Sequence, residues 1–200
     1  MKRFTSFLLL LFFSLSIFSQ TKFKCPATGL DKNAKKPSAR ISTLNKLKNR
    51  NNVPAQTSQN VTLDDILANG NDTNRFKNDQ GVTITGFIFG VKAGGAEDCN
   101  CFYGKEEFID THIEIALSAK EKSKRNVIVV EMTPRFKAKH PEWRTSEIKK
   151  LVGKKVTITG WLFFDGNHVQ NSRNTRPKGT NIYRATAWEI HPVINFDVID

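Results

Sequence analysis

Cysteine is scarce in this chain, three residues in 200, and none are spaced C-x-x-C, so the redox motif built on that spacing is missing. No pair of histidines or cysteines has a zinc-motif spacing, and G-x-S-x-G, P-loop and H-E-x-x-H patterns are all lacking. Acidic residues nearly vanish from residues 21–60, where Asp31 alone stands against nine Lys/Arg. An apolar run of bilayer length is lacking too. The longest, Phe7 to Phe18, is broken by two serines and is too short to span comfortably.

That run follows Lys2 and Arg3, a basic n-region before a short h-region, which predicts a signal peptide over residues 1–20 with cleavage after Ser19. The expected mature chain is exported, periplasmic or extracellular, with no transmembrane span. Cys25 lies behind Thr21-Lys22-Phe23-Lys24, too far from the h-region for lipoprotein acylation. In an oxidising compartment an odd cysteine count predicts one bridge and one free thiol, joining Cys25 to Cys99 or Cys101. A Cys99–Cys101 bridge would strain a very short ring.

The formal charge of +12 invites a nucleic-acid reading, but its location weakens it. Residues 21–60 carry a surplus of eight positive charges, and residues 61–200 a surplus of only two. Lys, Asn, Ser and Thr dominate residues 21–60, with prolines at 26, 37 and 54, which predicts an extended or disordered basic arm with at most one helical turn around residues 41–47. Residues 61–80 read as a short helix and linker: Thr62 caps, Asp64 and Asp65 favour the N-terminus, Leu63, Ile66 and Leu67 form the stripe, and Gly70 stops it.

An octet is written twice. Val82-Thr83-Ile84-Thr85-Gly86-Phe87-Ile88-Phe89 returns as Val156-Thr157-Ile158-Thr159-Gly160-Trp161-Leu162-Phe163. Each copy is a long alternating strand bent at its glycine, and the two are expected side by side in one small closed barrel. Strands are expected over residues 81–92, 111–117, 126–133, 154–164 and 184–199, the last interrupted by Pro192, with a helix over 141–152. Residues 93–110 and 165–183 form the two longest loops.

Three strands, a helix and two more strands resemble the oligonucleotide/oligosaccharide-binding (OB) barrel across residues 81–199, with Gly86 in the coiled first strand and Leu151-Val152-Gly153-Lys154-Lys155-Val156 leading into the fourth. The run Ala185-Thr186-Ala187-Trp188-Glu189-Ile190-His191-Pro192-Val193 is similar to a motif of uncharacterised secreted bacterial proteins, which implies a fold and a compartment and no activity. The fold class is therefore mainly β: a five-stranded OB-like closed barrel over residues 81–200, with a short helix between strands three and four, preceded by a short helix and the basic arm.

The resemblance implies a ligand face on strands two and three, flanked by the two long loops. The first loop supplies Glu97, Asp98, Cys99, Cys101 and Tyr103; the second supplies His168, Arg173 and Arg176; Arg135 leaves strand three as a further cation for an anionic ligand. His112, Glu114, Glu131, Glu189 and His191 are interleaved with the strands. Histidines and carboxylates on neighbouring strands can hold a divalent metal, joined by thiolates of the first loop, while the plainer reading is a hydrogen-bonded sheet surface. No cofactor is expected on that plainer reading, a divalent metal on the other.

Three functions compete: a non-catalytic exported module holding a ligand or protein between the loops, an envelope assembly protein docking through its arm, and a metal-dependent hydrolase centred on His112 and His191.

Overall fold

The computed structural model describes residues 23–58 and 60–199, and the expected signal peptide lies outside them. Five strands close into a mixed barrel: β1 (Gly81–Ala93), β2 (Thr111–Ala116), β3 (Ile128–Met132), β4 (Lys155–Phe164) and β5 (Trp188–Ile199), ordered β1-β2-β3-β5-β4 around the ring. All pairs are antiparallel except β3–β5. This order is compatible with an OB-like barrel.

The repeated octets pair with each other, as their pattern predicts. Val82 faces Gly160 and Gly86 faces Val156, so each copy's glycine meets the other's opening valine. Val82, Ile84, Val156 and Ile158 point into the core, while the hydroxyls of Thr83 and Thr159 bond outside it at 2.9 Å, and those of Thr85 and Thr157 at 3.1 Å. Strand β1 then changes neighbour. It pairs with β4 through Phe87 and with β2 from Phe87 onward, so Gly86 sits where the strand coils from one partner to the other.

Thr62 caps α2 (Leu63–Leu67) in a reciprocal capping box with Asp65, and Leu63, Ile66 and Leu67 are buried against the barrel. The helix expected over 141–152 is broken. A 3-10 turn at Pro141–Trp143 is followed by Arg144 in extended geometry, and only then by a short helix at Thr145–Lys149. A further helix, Pro134–Lys137, opens directly after β3, because proline at a first helical position gives up no needed N–H. Strand β5 begins at Trp188, later than expected, and runs through Pro192. Gly160 pairs with Val193 and Leu162 with Ile190, so His191 and Pro192 both stand opposite Trp161, and the extra residue takes up the missing donor.

The arm departs most from expectation. Residues 23–58 form an ordered strap containing α1 (Ala39–Lys48), where an extended or disordered segment was expected. The buried residues of α1 and its C-cap are polar: Asn45 Nδ2 donates to Thr28 O at 2.9 Å, Asn49 Nδ2 to Cys99 O at 2.8 Å, and Arg135 Nε to Asn49 Oδ1 at 3.0 Å. A disulfide joins Cys25 to Cys101, one of the two expected pairings, with Cα atoms 5.8 Å apart, and Cys99 is the free thiol. The strap is held by amides and a covalent bond rather than an apolar stripe, which is why its composition reads as unstructured. No helix among the described residues is long and apolar enough to cross a membrane, and the disulfide is compatible with a non-cytoplasmic protein.

Candidate metal centre

Alternation puts His112, Glu131, Glu189 and His191 on the outer side of β2, β3 and β5, yet the loops and strap bury them. His112 pairs across strands with Glu131, and Glu189 stands beside Val129 in the parallel ladder. Two residues further along that ladder, His191 Nδ1 lies 3.1 Å from Glu131 Oε2, and His112 Nε2 lies 3.3 Å from Glu131 Oε1. The first loop brings Asp110, 1 % exposed, to the same place. Asp110, Glu131 and His191 each offer one ligand atom, mutually within 4.8 Å.

The surrounding charges pair off, and two carboxylates are left. Arg184, itself buried, bonds the Glu189 carboxylate. Lys48, from the end of α1, donates to Glu97 at 3.0 Å and lies 5.7 Å from the Phe163 ring centre. Burial would raise Glu189, but Arg184 and His191 overrule it and hold the carboxyl well below its ordinary range. Burial likewise opposes the Lys48 charge, yet the acidic groups around it, Cys99 first and then Glu97, keep the ammonium above its ordinary value.

Glu131 has no cation of its own. Burial first, then Glu189 and Asp110, push its carboxyl well up, and burial does the same to Asp110. Burial lowers His112 to about 4, so its imidazole is neutral near pH 7. His191 is fully buried, and neither ring nitrogen makes a well-formed hydrogen bond; Asp110 Oδ1, Glu131 Oε2 and His112 Nε2 share that condition. Buried polar atoms without partners cost about 1–3 kcal/mol each, so a group of them around one point requires explanation.

Other candidate residues lie elsewhere. Glu114 is buried under Gly90 and donates no ligand to the centre; its carboxylate accepts from Lys124 at 3.0 Å. Arg135 clamps the strap through Asn49 and the Cys25 carbonyl. Tyr103 packs on Phe23 and Phe108. Asp98 accepts the Leu30 amide through its backbone carbonyl at 3.0 Å. His168 contacts Asp165, which together with Glu189 makes a further donor group at the other end of the row. Arg173 binds Asn126 and the Leu67 carbonyl, and Arg176 binds Gln170. An open cavity of about 330 Å³ at Arg176 is lined by the second loop alone, residues 175–179, so the arginines and the acidic residues of the first loop share no cleft there.

Asp110, Lys48 and Arg184 were not singled out from the sequence. For Asp110 alone there is a local signal: Asp110-Thr111-His112 matches Glu189-Ile190-His191, an acid two residues before a histidine at or in a strand. No protein-family model matches the chain, and no curated protein is significantly similar to it. Fold and site together define a closed mixed β-barrel with a buried carboxylate–histidine cluster under a disulfide-anchored strap.

Proposed function

We propose that the protein is an exported, non-catalytic OB-type binding module whose ligand is a divalent metal ion held by Asp110, Glu131 and His191. One observation carries the reading: two buried carboxylates without a lysine or arginine partner converge on a histidine neither of whose nitrogens makes a well-formed hydrogen bond. A divalent cation replaces the protons that burial favours on these carboxyls and takes up the idle lone pairs. Two oxygens and one imidazole nitrogen suit zinc or manganese, with bonds of about 2 Å.

Closure favours binding over catalysis. Three protein ligands are also the count of a catalytic zinc, so burial rather than ligand number carries the distinction. Here the side chains of His191 and Glu131 are 0 % and 5 % exposed, so a hydrolytic substrate would have to displace the covering loops or strap to reach them. The hydrolase reading centred on His112 and His191 is therefore not favoured, although both histidines belong to the cluster. The ion would tie β3 and β5 to the loop that leads into β2.

Elemental analysis of the mature chain after dialysis against Zn²⁺ or Mn²⁺ tests this. We expect roughly one ion bound at this centre per chain, with a thermal transition that rises on loading and falls on chelation. His191→Ala and Asp110→Asn should each abolish that binding. A chain that retains no metal and is indifferent to chelator refutes the proposal.

A further inference from the structure

A second donor group adjoins the first. Glu97, Cys99 and Asp110 each offer one ligand atom, mutually within 4.8 Å, so Asp110 belongs to both groups. The short 3-10 turn at Asp98–Asn100 turns Cys99 inward to 1 % exposure, and its Sγ lies 3.5 Å from Glu97 Oε2. With Cys25 and Cys101 in the disulfide, Cys99 keeps a free thiol. Asp110 accepts from Asn100 Nδ2 at 2.7 Å through Oδ2, while its buried Oδ1 has no partner. That idle oxygen is the one also counted at the first centre, so the shared Asp110 carboxylate is what joins the two donor groups.

We infer that Glu97, Cys99 and Asp110 form a second cation subsite, sharing the Asp110 carboxylate with the first, that takes a thiophilic divalent ion of the zinc class. This rests on the reading of Asp110, Glu131 and His191 as a metal centre. Sulfur supplies the selectivity: a thiolate favours zinc or cadmium and discriminates against magnesium, calcium and manganese, which prefer oxygen. On binding, the Cys99 S–H bond breaks, a sulfur–metal bond forms, and the proton leaves to solvent; no electrons are transferred.

Lys48 is the resident competitor. Its ammonium lies 3.0 Å from Glu97 Oε2, the oxygen that faces the thiol, so an arriving ion takes over that carboxylate and displaces Lys48. Because Lys48 ends α1, occupancy of the subsite bears on the strap as well.

The test is cadmium titration of the full mature chain, followed by thiolate-to-metal charge-transfer absorption. The band should develop in the wild type, persist in His191→Ala and vanish in Cys99→Ser, while Cys99→Ser still binds manganese at the first centre. Lys48→Met should bind cadmium more tightly than wild type. Because Cys99→Ser could fail to fold, X-ray absorption of the zinc-loaded wild type supplies a variant-free readout, with a sulfur scatterer expected at about 2.3 Å. Metal bound without a sulfur signal overturns the second subsite and leaves the first standing; failure to bind any divalent ion overturns both.

Discussion

Gly160 and Gly86 look equivalent in the repeated octets, but their surroundings differ. A Cβ at Gly160 would lie 2.5 Å from the Pro192 carbonyl oxygen and 2.4 Å from Ile190 Cγ2. At Gly86 it would meet two side-chain methyls at 2.6 Å, of Ile115 and Leu63, and the Ala116 oxygen at 2.8 Å. Side-chain ends can rotate away, and backbone in a closed barrel cannot. Gly160→Ala should therefore cost more than Gly86→Ala, with both in the range of about 1–3 kcal/mol typical of overpacking. Urea unfolding of the two variants decides it, and equal costs would show that the bulge at His191 and Pro192 yields more readily than its ladder implies.

At the scale of elements, the strap is the unusual part, and its anchor is covalent. The Cys25–Cys101 bridge closes a loop across a sequence separation of 76, which in the chain-entropy view stabilises by about 3–5 kcal/mol. Replacing both cysteines with alanine should lower stability by about that much. It should also raise hydrogen exchange in α1 well above that in β1 and β4, since the strap's other anchors to the barrel are polar contacts such as those of Lys48, Asn49, Arg50 and Arg135. Exchange rising equally in α1 and the barrel would make the strap part of the cooperative core.

Strands were legible from their local patterns: the alternation of the octets gives β1 and β4, and the β-branched run Val127 to Val130 gives β3. The strap was not, since a segment whose buried face is Ser42, Asn45 and Asn49 has no apolar period to read. The centre was half legible. Strand alternation announces His112, Glu131, Glu189 and His191, whereas Asp110 and Lys48 reach the same place only through loop and strap packing. Distances between elements that touch late in the chain's path, such as Lys48 to Glu97, leave no local pattern.

At the scale of the whole molecule, the strap's order turns a charge surplus into a directional one. Lys48 and Arg50 point inward, while Lys32, Lys35, Lys36, Arg40 and Lys46 are exposed and form no ion pair among the described residues. Asp31, the acid nearest them in sequence, accepts from the Asn33 and Lys35 amides. Of the barrel lysines, Lys150 sits 2.7 Å from Glu147 and Lys124 3.0 Å from Glu114, and residues 61–200 carry a surplus of only two positive charges. The strap thus carries a run of exposed cations close together in sequence, whose field reaches about one Debye length, roughly 10 Å at 0.1 M salt. Changing Lys32, Lys35, Lys36, Arg40 and Lys46 to glutamine should advance elution from an anionic matrix more than the same change at Lys120, Lys122, Lys149, Lys154 and Lys155. Both sets remove five charges, so only their placement differs. The gap between the two variants should narrow as salt rises, because screening erases placement before it erases net charge. Equal shifts at low salt would mean that the matrix senses total charge alone and that the strap presents no distinct cationic face.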